Sequence, residues 1–407
     1  MIHSKYTDIT RVSSHHDVLI LLLVFSHHSI HKMRRVFRTK NVRCGSGNDL
    51  RVVVLKPLLR QSSSEPSPGS DVSVNNRQQQ ININICHLTS ATPSTMRPLV
   101  AVPSIVLLVY RAYSRRSLTP VGIFTAFLTA IAHAVHPWSV FFALLTTFFL
   151  AGTAATKVKH AQKAKLTMSS TGEHGAGPPS PRTARQVLAN SVFASVLAVA
   201  HTVLLYQTGK GSDACLVKPG TGTTWADLLP YGIFAQYAAV AADTFASELG
   251  ILAQEQPVLI TDVMALLSFK PKRVPRGTNG GVTTLGTVAG LGGAALMAVM
   301  VTTLTPFCGG WTYADKLLLV AAITVWGGFG SLLDSILGGL LQASVVDAKS
   351  GRVVEGEGGL RVSYRQSADQ MDERKLVNGQ DILDNNGVNA LMAGTMTVGA
   401  LVFLSIL

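Results

Sequence analysis

The chain has 407 residues, of which 47% are hydrophobic and 14% are charged, and its formal net charge is +13. Because Lys and Arg lie in short loops between apolar blocks and in an N-terminal tail, this charge indicates membrane topology, and we expect no nucleic-acid partner. The cysteines have no CxxC spacing, which argues against a zinc site and a dense disulfide framework. They are Cys44, Cys86, Cys215 and Cys308.

The first 95 residues differ in character from the rest of the chain. Their one apolar run, Val18 to Phe25, is too short to cross about 30 Å of hydrocarbon. Basic residues follow this run, which disfavours a secretory signal, and a mitochondrial presequence would need a sustained amphipathic period. We therefore predict a disordered basic tail over residues 1–95. The abrupt change at Met96 suggests an alternative, in which Met96 is the natural start and residues 1–95 are not part of the native protein.

Residues 96–407 contain apolar blocks of the length that a membrane helix needs, roughly 20 residues. We predict an all-α, polytopic integral membrane helix bundle of about eight transmembrane helices, with seven or nine as alternatives if one segment is re-entrant. The predicted spans are residues 98–113, 119–136, 138–155, 187–207, 228–252, 281–305, 316–342 and 387–407.

The loops between these spans alternate in charge. Basic residues concentrate between spans one and two, three and four, and five and six, whereas the intervening loops are nearly uncharged or balanced. The positive-inside rule places the basic loops on the cytosolic side and both ends of the membrane domain on the other side. Cys215 and Cys308 then share the outer side, where they either form a disulfide or remain two free thiols.

Several costly polar residues lie near the cytosolic ends of the spans. A carboxylate within a membrane helix costs about 2.5 to 3.5 kcal/mol on insertion scales, so it needs a compensating role. Each one alone is explained by pairing with Lys or Arg or by helix capping, as for Asp384 before span eight. Together, at one depth and on one side, they favour a site. The set is Asp243, Glu248, Asn279, Asp334, Asp384, Asn385 and Asn389.

The loop before span six, KPKRVPRGTNGG (270–281), places four basic side chains ahead of flexible backbone amides at a helix N-terminus. This arrangement is suited to binding phosphate, although a positive-inside loop without a ligand fits equally well. The glycine spacing of Gly286, Gly290 and Gly293 is more typical of helix–helix contact.

Six sequence blocks resemble the transmembrane protein nineteen family, also called domain of unknown function ninety-two. The blocks occur in the family's order and cover most of residues 97–407, whereas residues 1–95 have no recognised counterpart. They are SLTPVG (117–122), FFLAGTAATKVK (148–159), ADTFASELG (242–250), VPRGTNGGVTTLG (274–286), GSLLDSILGGLLQ (330–342) and DILDNNGVN (381–389).

The resemblance implies a function, because the family's best-understood plant member resembles a phytyl-phosphate kinase and is distantly similar to nucleotide-dependent phytol and dolichol kinases. By that resemblance Asp243 and Glu248 would bind magnesium, and the 270–281 loop would contact nucleotide phosphates. The sequence departs from general nucleotide motifs, since it has no Walker-type glycine loop.

Our leading hypothesis is therefore a kinase that uses Mg²⁺ and CTP or ATP to phosphorylate an isoprenoid monophosphate held among the spans. Alternatives are a secondary transporter or ion exchanger that uses buried carboxylates, and a structural membrane protein. For location we expect the endoplasmic reticulum or another endomembrane. The hypothesis assigns metal binding to Asp243, Glu248, Asp334 and Asp384; catalysis to Asp243, Glu248, Asn279, Asn385 and Asn389; and nucleotide binding to Lys157, Lys159, Lys272, Arg273, Arg276, Gly280 and Gly281.

Overall fold

The computed structural model describes residues 37–43, 49–55, 98–170, 180–220, 222–262, 272–362 and 374–407. The chain divides into two compact units, residues 1–92 and 93–407. In the first unit, strands β1 (Phe37–Arg43) and β2 (Asp49–Leu55) form an antiparallel hairpin. This hairpin lies within the stretch predicted to be a disordered tail. The rest of residues 1–97 lies outside the described part, so the tail and the alternative start at Met96 stay predictions.

The second unit is built mainly from helices, and its described part contains eight helices of 15 residues or more, in agreement with the predicted count of about eight. Five of them are long and apolar enough to cross a membrane (α3, α5, α7, α8 and α9), two are shorter apolar helices (α1 and α2), and the eighth is the 26-residue α6. The helices are α1 (Pro98–Ser114), α2 (Pro120–Ala134), α3 (Ser139–Lys157), the one-turn α4 (His160–Lys163), α5 (Ala184–Gln207), α6 (Trp225–Gly250), α7 (Thr284–Leu304), α8 (Tyr313–Leu341) and α9 (Asn385–Ile406).

Helix α6 forms the centre of the bundle. Nearly every residue from Leu228 to Ala242 is buried, and α3, α5, α7, α8 and α9 pack against this helix. Small residues allow the close approach: a Cβ on Gly293 of α7 would lie 2.8 Å from the Ala241 carbonyl oxygen. The interpretation of the α7 glycines as helix contacts therefore agrees with the packing.

The loops gather at two opposite ends of the bundle, as the charge alternation predicts. At one end the backbone of Leu118 bridges to Arg182, and at the other the backbone of Leu216 bridges to Phe307. We call them the basic end (the α1–α2, α3–α5, α6–α7 and α8–α9 loops) and the disulfide end (the α2–α3, α5–α6 and α7–α8 loops). Cys215 and Cys308 form a disulfide at the second end, which resolves the alternative left open by the sequence.

The basic end carries small β-structures that the all-α prediction did not include. A four-stranded sheet has the order β3-β7-β6-β8, in which β3 is parallel to β7 and the other pairs are antiparallel. A second pair, β4 and β5, joins the two sides of the α6–α7 loop. These strands are β3 (Thr167–Ser169), β4 (Val258–Leu259), β5 (Gly281–Val282), β6 (Ser344–Asp347), β7 (Val353–Glu355) and β8 (Arg374–Asn378).

Candidate functional site

Two carboxyl groups meet where α6 and α8 cross near the basic end. The carboxyl groups of Asp243 and Asp334 are direct neighbours, and both residues are partly buried. In the amide orientation that satisfies its neighbours, Asn389 of α9 donates to Asp334 Oδ2 at 3.3 Å and to the Asn385 carbonyl oxygen at 2.9 Å. Three helices therefore contribute side chains to one polar cluster, which we call the aspartate pair.

Helix packing explains why these carboxyl groups meet. A Cβ on Gly330 of α8 would lie only 2.5 Å from the Ala239 Cβ of α6, so the two helices touch at this point. Asp334 lies four residues after Gly330, and Asp243 lies four residues after Ala239. Because residues four apart share a helix face, the glycine contact directs the two carboxyl groups toward each other one turn later.

The aspartate pair has the composition of a divalent-cation site. An ionised carboxylate only accepts hydrogen bonds, so two neighbouring carboxylates repel each other unless a proton or a cation lies between them. Magnesium is commonly bound by one or two carboxylates, with substrate phosphates and waters completing the shell. No cluster of three or more His, Cys, Asp or Glu residues suited to a metal occurs among the described residues.

Glu248 belongs to a different cluster on the other side of α6. Lys163 Nζ lies 2.7 Å from Glu248 Oε2, and Thr156 Oγ1 donates to Glu248 Oε1 over 2.7 Å. Arg182 Nη2 donates to Thr156 Oγ1 over 3.3 Å. Burial lowers the pKa of the Arg182 guanidinium, and the nearby Glu248 charge opposes that shift. The pairing of Glu248 with a lysine is the structural role that the sequence left open for each single carboxylate.

Asn279 and Asp384 have local partners. The Asn279 amide N–H donates to Ser344 Oγ at 2.9 Å, and its side chain donates to the Ala343 carbonyl oxygen at 3.3 Å. Asp384 caps α9 by accepting from the Gly387 N–H at 2.8 Å. The Asn279 bonds join the α6–α7 loop to the α8–α9 loop, and Asp384 caps a helix, so both residues have a structural role independent of any ligand.

In the described part of the 270–281 loop, several side-chain donors already have hydrogen-bond partners within the protein. Arg273 Nη1 and Arg276 Nη2 donate to the carbonyl oxygens of Gln256 (3.2 Å) and Gln254 (2.7 Å). Arg276 Nε is buried without a hydrogen-bond partner among the described residues. The assignment of this loop to nucleotide phosphates stays a prediction, and Lys270 lies outside the described residues.

The glycines of this loop make a close helix contact. Gly280 has a φ of +82°, and a Cβ there would lie 2.8 Å from Gly339 Cα of α8. The Gly281 N–H donates to the Thr278 carbonyl oxygen at 3.0 Å, so that amide is not free for a ligand.

The predicted residues therefore fall into separate groups. The aspartate pair unites Asp243, Asp334, Asn389 and the Asn385 backbone, whereas Glu248 lies with Lys163, Thr156 and Arg182. The side chains of Lys157, Lys159 and Lys272 are exposed at the basic end. Sequence reasoning assigned no role to Lys163, Thr156 and Arg182, because nothing in the spacing of a loop lysine or a helix threonine identifies its partner.

Comparisons with known proteins agree with the resemblance in the sequence blocks. The chain is 37% identical to Protein PGR of Arabidopsis thaliana over 303 residues, which is 73% of this chain and 93% of that protein. It is 27% identical to Protein VTE6, chloroplastic, of Arabidopsis thaliana over 255 residues (63% of this chain and 65% of that protein). It is also 29% identical to an uncharacterized membrane protein of Methanocaldococcus jannaschii over 199 residues (49% and 64%).

No solved structure matches the chain significantly. The expected location in the endoplasmic reticulum gains no support from the relatives. The profile of the family described as integral membrane protein DUF92 matches residues 103–397, which is well over half of the chain. The chain is thus a multi-pass integral membrane protein, and it belongs to the DUF92 family.

Proposed function

We propose that this protein is a kinase that transfers a phosphoryl group from CTP or ATP to an isoprenoid monophosphate at the basic end of the bundle. The observation that carries the proposal is the aspartate pair, in which α6 and α8 bring two carboxyl groups together, and α9 adds the Asn389 amide, at a depth where carboxylates are costly. The family's resemblance to plant phytyl-phosphate kinase supports the choice of acceptor.

The chemistry of phosphoryl transfer suits these residues. Such reactions depend chiefly on positioned charge, in which bound magnesium neutralises phosphate oxygens. In this proposal Asp243 and Asp334 hold Mg²⁺, and Asn389 orients Asp334 through the hydrogen bond to its Oδ2. The exposed Lys157, Lys159 and Lys272 supply positive charge for the nucleotide at the same end.

Glu248 has a supporting role in the proposal. Its carboxylate holds Lys163 and Thr156 and lies near Arg182, so it fixes cations around the reaction without binding the metal itself. The sequence predicted four metal-binding carboxylates, and the proposal keeps two of them. Glu248 and Asp384 are left out because both already have partners in the structure.

The second candidate function is a proton-coupled carrier, and the same aspartate pair motivates it. Two carboxyl groups that share a proton inside a helix bundle could load and release that proton during transport. Magnesium dependence distinguishes the candidates, since a kinase site gains affinity for Mg²⁺ with nucleotide and a proton carrier does not.

The test uses purified full-length protein in lipid nanodiscs with CTP or ATP, Mg²⁺ and geranylgeranyl monophosphate. We expect the diphosphate as product, and we expect Asp243→Asn and Asp334→Asn each to lower turnover by about 100-fold or more, the scale for losing a group that stabilises transition-state charge. Asp381→Asn, a carboxylate at the same end in an exposed ion pair with Arg361, is the matched control and should retain turnover. Folded protein that turns over none of the prenyl phosphates with any nucleoside triphosphate would refute the proposal.

A further inference from the structure

An apolar cavity lies between α1, α2, α3 and α5, away from the central helix. It encloses about 80 Å³ and is open along one side, so it forms a groove between the helices. Most of its lining is aliphatic or aromatic; the lining includes Ile105, Leu108, Val109, Phe127, Leu145 and Phe149.

Polar groups line one end of this cavity. Gln186 and Asn190 share a face at the start of α5, and Arg182 lies in the loop just before that helix. Farther along the wall, Thr146 Oγ1 is buried without a hydrogen-bond partner among the described residues. The cavity is therefore amphipathic, with a cation at the basic end and an apolar body that extends into the membrane.

The position of Arg182 is fixed by its backbone. Its N–H donates to the Ser117 carbonyl oxygen at 3.0 Å, and its own carbonyl oxygen accepts from the Thr119 N–H at 3.0 Å. A Cβ built on Gly152 would lie 3.5 Å from both the Arg182 guanidinium and the Thr244 methyl group. Thr244 directly follows Asp243 in α6, so the charged end of the cavity adjoins the helical turn that carries the aspartate pair.

The cavity continues toward the outside of the bundle between α1 and α2. A second apolar depression shares Ile105, Val109 and Phe127 with it, and this depression also contains Tyr110 and Tyr113. The two tyrosines are 67% and 73% exposed, which places them on the outer surface of the bundle. An apolar chain could thus enter sideways from the bilayer without crossing the polar loops.

We propose that this cavity binds the hydrocarbon chain of a single-chain lipid phosphomonoester, which enters between α1 and α2 and places its phosphate against Arg182. The inference rests on the proposed function, because it supplies the site for the acceptor lipid. Charge complementarity selects this occupant: a guanidinium binds a phosphate through paired N–H donors, and the apolar wall of the open groove lines one side of a single chain.

Photolabelling tests the proposal without nucleotide or Mg²⁺. The probe is a geranylgeranyl monophosphate with a diazirine near the end of its chain, added to the full-length protein in nanodiscs. We expect crosslinks to residues 98–149, competed by unlabelled geranylgeranyl monophosphate and much less by diacyl phosphatidate. Crosslinks confined to α7 or α8, or equal competition by the two-chain lipid, would overturn the proposal.

Two pairs of variants sharpen the test. Ala126→Phe fills the cavity and should reduce labelling at least tenfold, whereas Ala321→Phe, on an exposed face of α8, should not. Arg182→Met should weaken competition by the monophosphate at least about tenfold, Arg182→Lys should retain part of it, and competition by the uncharged prenol should be unchanged in both. Unaltered monophosphate competition in folded Arg182→Met would remove Arg182 from the site.

The labelling result is independent of the kinase proposal. Specific labelling of the cavity in a protein without kinase turnover would retain the lipid site and refute the proposed function. Turnover of prenyl phosphates by a protein whose crosslinks lie elsewhere would refute the lipid site and retain the proposed function.

Discussion

The polar side chains at the two ends of the bundle have different kinds of partner. At the disulfide end, the side chains of Trp138, Trp311 and Tyr231 donate to the carbonyl oxygens of Ala214, Leu216 and Val217, and the adjacent Cys215 bonds to Cys308. At the basic end, carboxyl groups on a membrane helix contact other ionisable side chains: the aspartate pair on one side of α6 and the Glu248–Lys163 ion pair on the other. The ionisable contacts at the disulfide end include the Lys218–Asp315 ion pair of the loops and the contact of His136 with His201.

This difference separates structure from chemistry. A hydrogen bond from a neutral donor to a backbone carbonyl oxygen satisfies both groups at little cost in free energy. A carboxyl group removed from water, in contrast, destabilises the fold unless it is paired or binds a ligand. The disulfide end thus joins three loops, and the basic end carries the ionisable groups that the proposed phosphoryl transfer would use. Variants at the disulfide end should accordingly lower stability without a selective loss of activity.

The largest effect on stability is expected from Lys163→Met at the basic end. This variant leaves Glu248 without its lysine, and breaking a buried ion pair costs about 3–5 kcal/mol. We expect the lower part of that range, because 26% of the Glu248 side chain is exposed. The measurement is reversible unfolding in mixed micelles, followed by circular dichroism.

Lys165→Met is the matched control, since Lys165 is exposed and lies two residues away. It should change the unfolding free energy by no more than about 0.5 kcal/mol. Adding Glu248→Gln to Lys163→Met should recover part of the loss, because the unpaired charge is then removed. Equal stability of the two lysine variants would show that the ion pair contributes nothing.

The next effect belongs to the disulfide end. Replacing Cys215 and Cys308 together by Ser removes a crosslink between residues 93 apart in sequence, at a cost of about 2–4 kcal/mol. Reductant should lower the unfolding midpoint of the wild type but not that of the double variant. Kinase turnover below the unfolding temperature should persist, because the crosslink lies at the end opposite the aspartate pair; selective loss of turnover would contradict the separation of the two ends.

A smaller loss of stability is expected in the middle of the bundle, between the two ends, where the helices pack closely. Gly293→Ala places a methyl group 2.8 Å from the Ala241 carbonyl oxygen, and such overpacking costs about 1–3 kcal/mol. Gly292→Ala, one residue earlier on the open side of α7, meets nothing within 4 Å and should be neutral. Thermal unfolding of the two variants side by side measures the difference, and matching midpoints would count against tight α6–α7 packing.

The sequence predicted the helices well because a helix that crosses a membrane needs a long apolar segment. Apolar length gave the eight spans to within a few residues, and alternating loop charge gave the two ends. It also placed Asp243, Asp334 and Asn389 at one depth. It could not show that Glu248 pairs with Lys163, because five residues rotate a helix by about 140° and the partner of each face depends on tertiary packing.

The small sheet at the basic end escaped prediction for a different reason. Strands such as Thr167–Ser169 and Val353–Glu355 have only three residues each, too few for a period-two pattern to appear. Their parallel pairing joins segments more than 180 residues apart, which no local signal encodes. The cavity beside Arg182 could likewise not be predicted from the sequence, because it depends on the tertiary packing of four helices.

The smallest effect is expected in this sheet, at the turn between β6 and β7. Hydrogen bonds from the Ser350 hydroxyl and the Ser350 N–H (2.7 Å) hold the pKa of the Asp347 carboxyl below its usual value. A carboxyl with a lowered folded-state pKa stabilises the fold above its unfolded pKa, about 3.9, and loses that contribution as the pH falls through the folded value. Asp347→Asn should therefore lower the thermal midpoint slightly near pH 6, and the two proteins should converge in acid as the pH falls through the folded-state pKa of Asp347. A difference that persists unchanged in acid would mean that the turn is stabilised by something other than the ionised carboxylate.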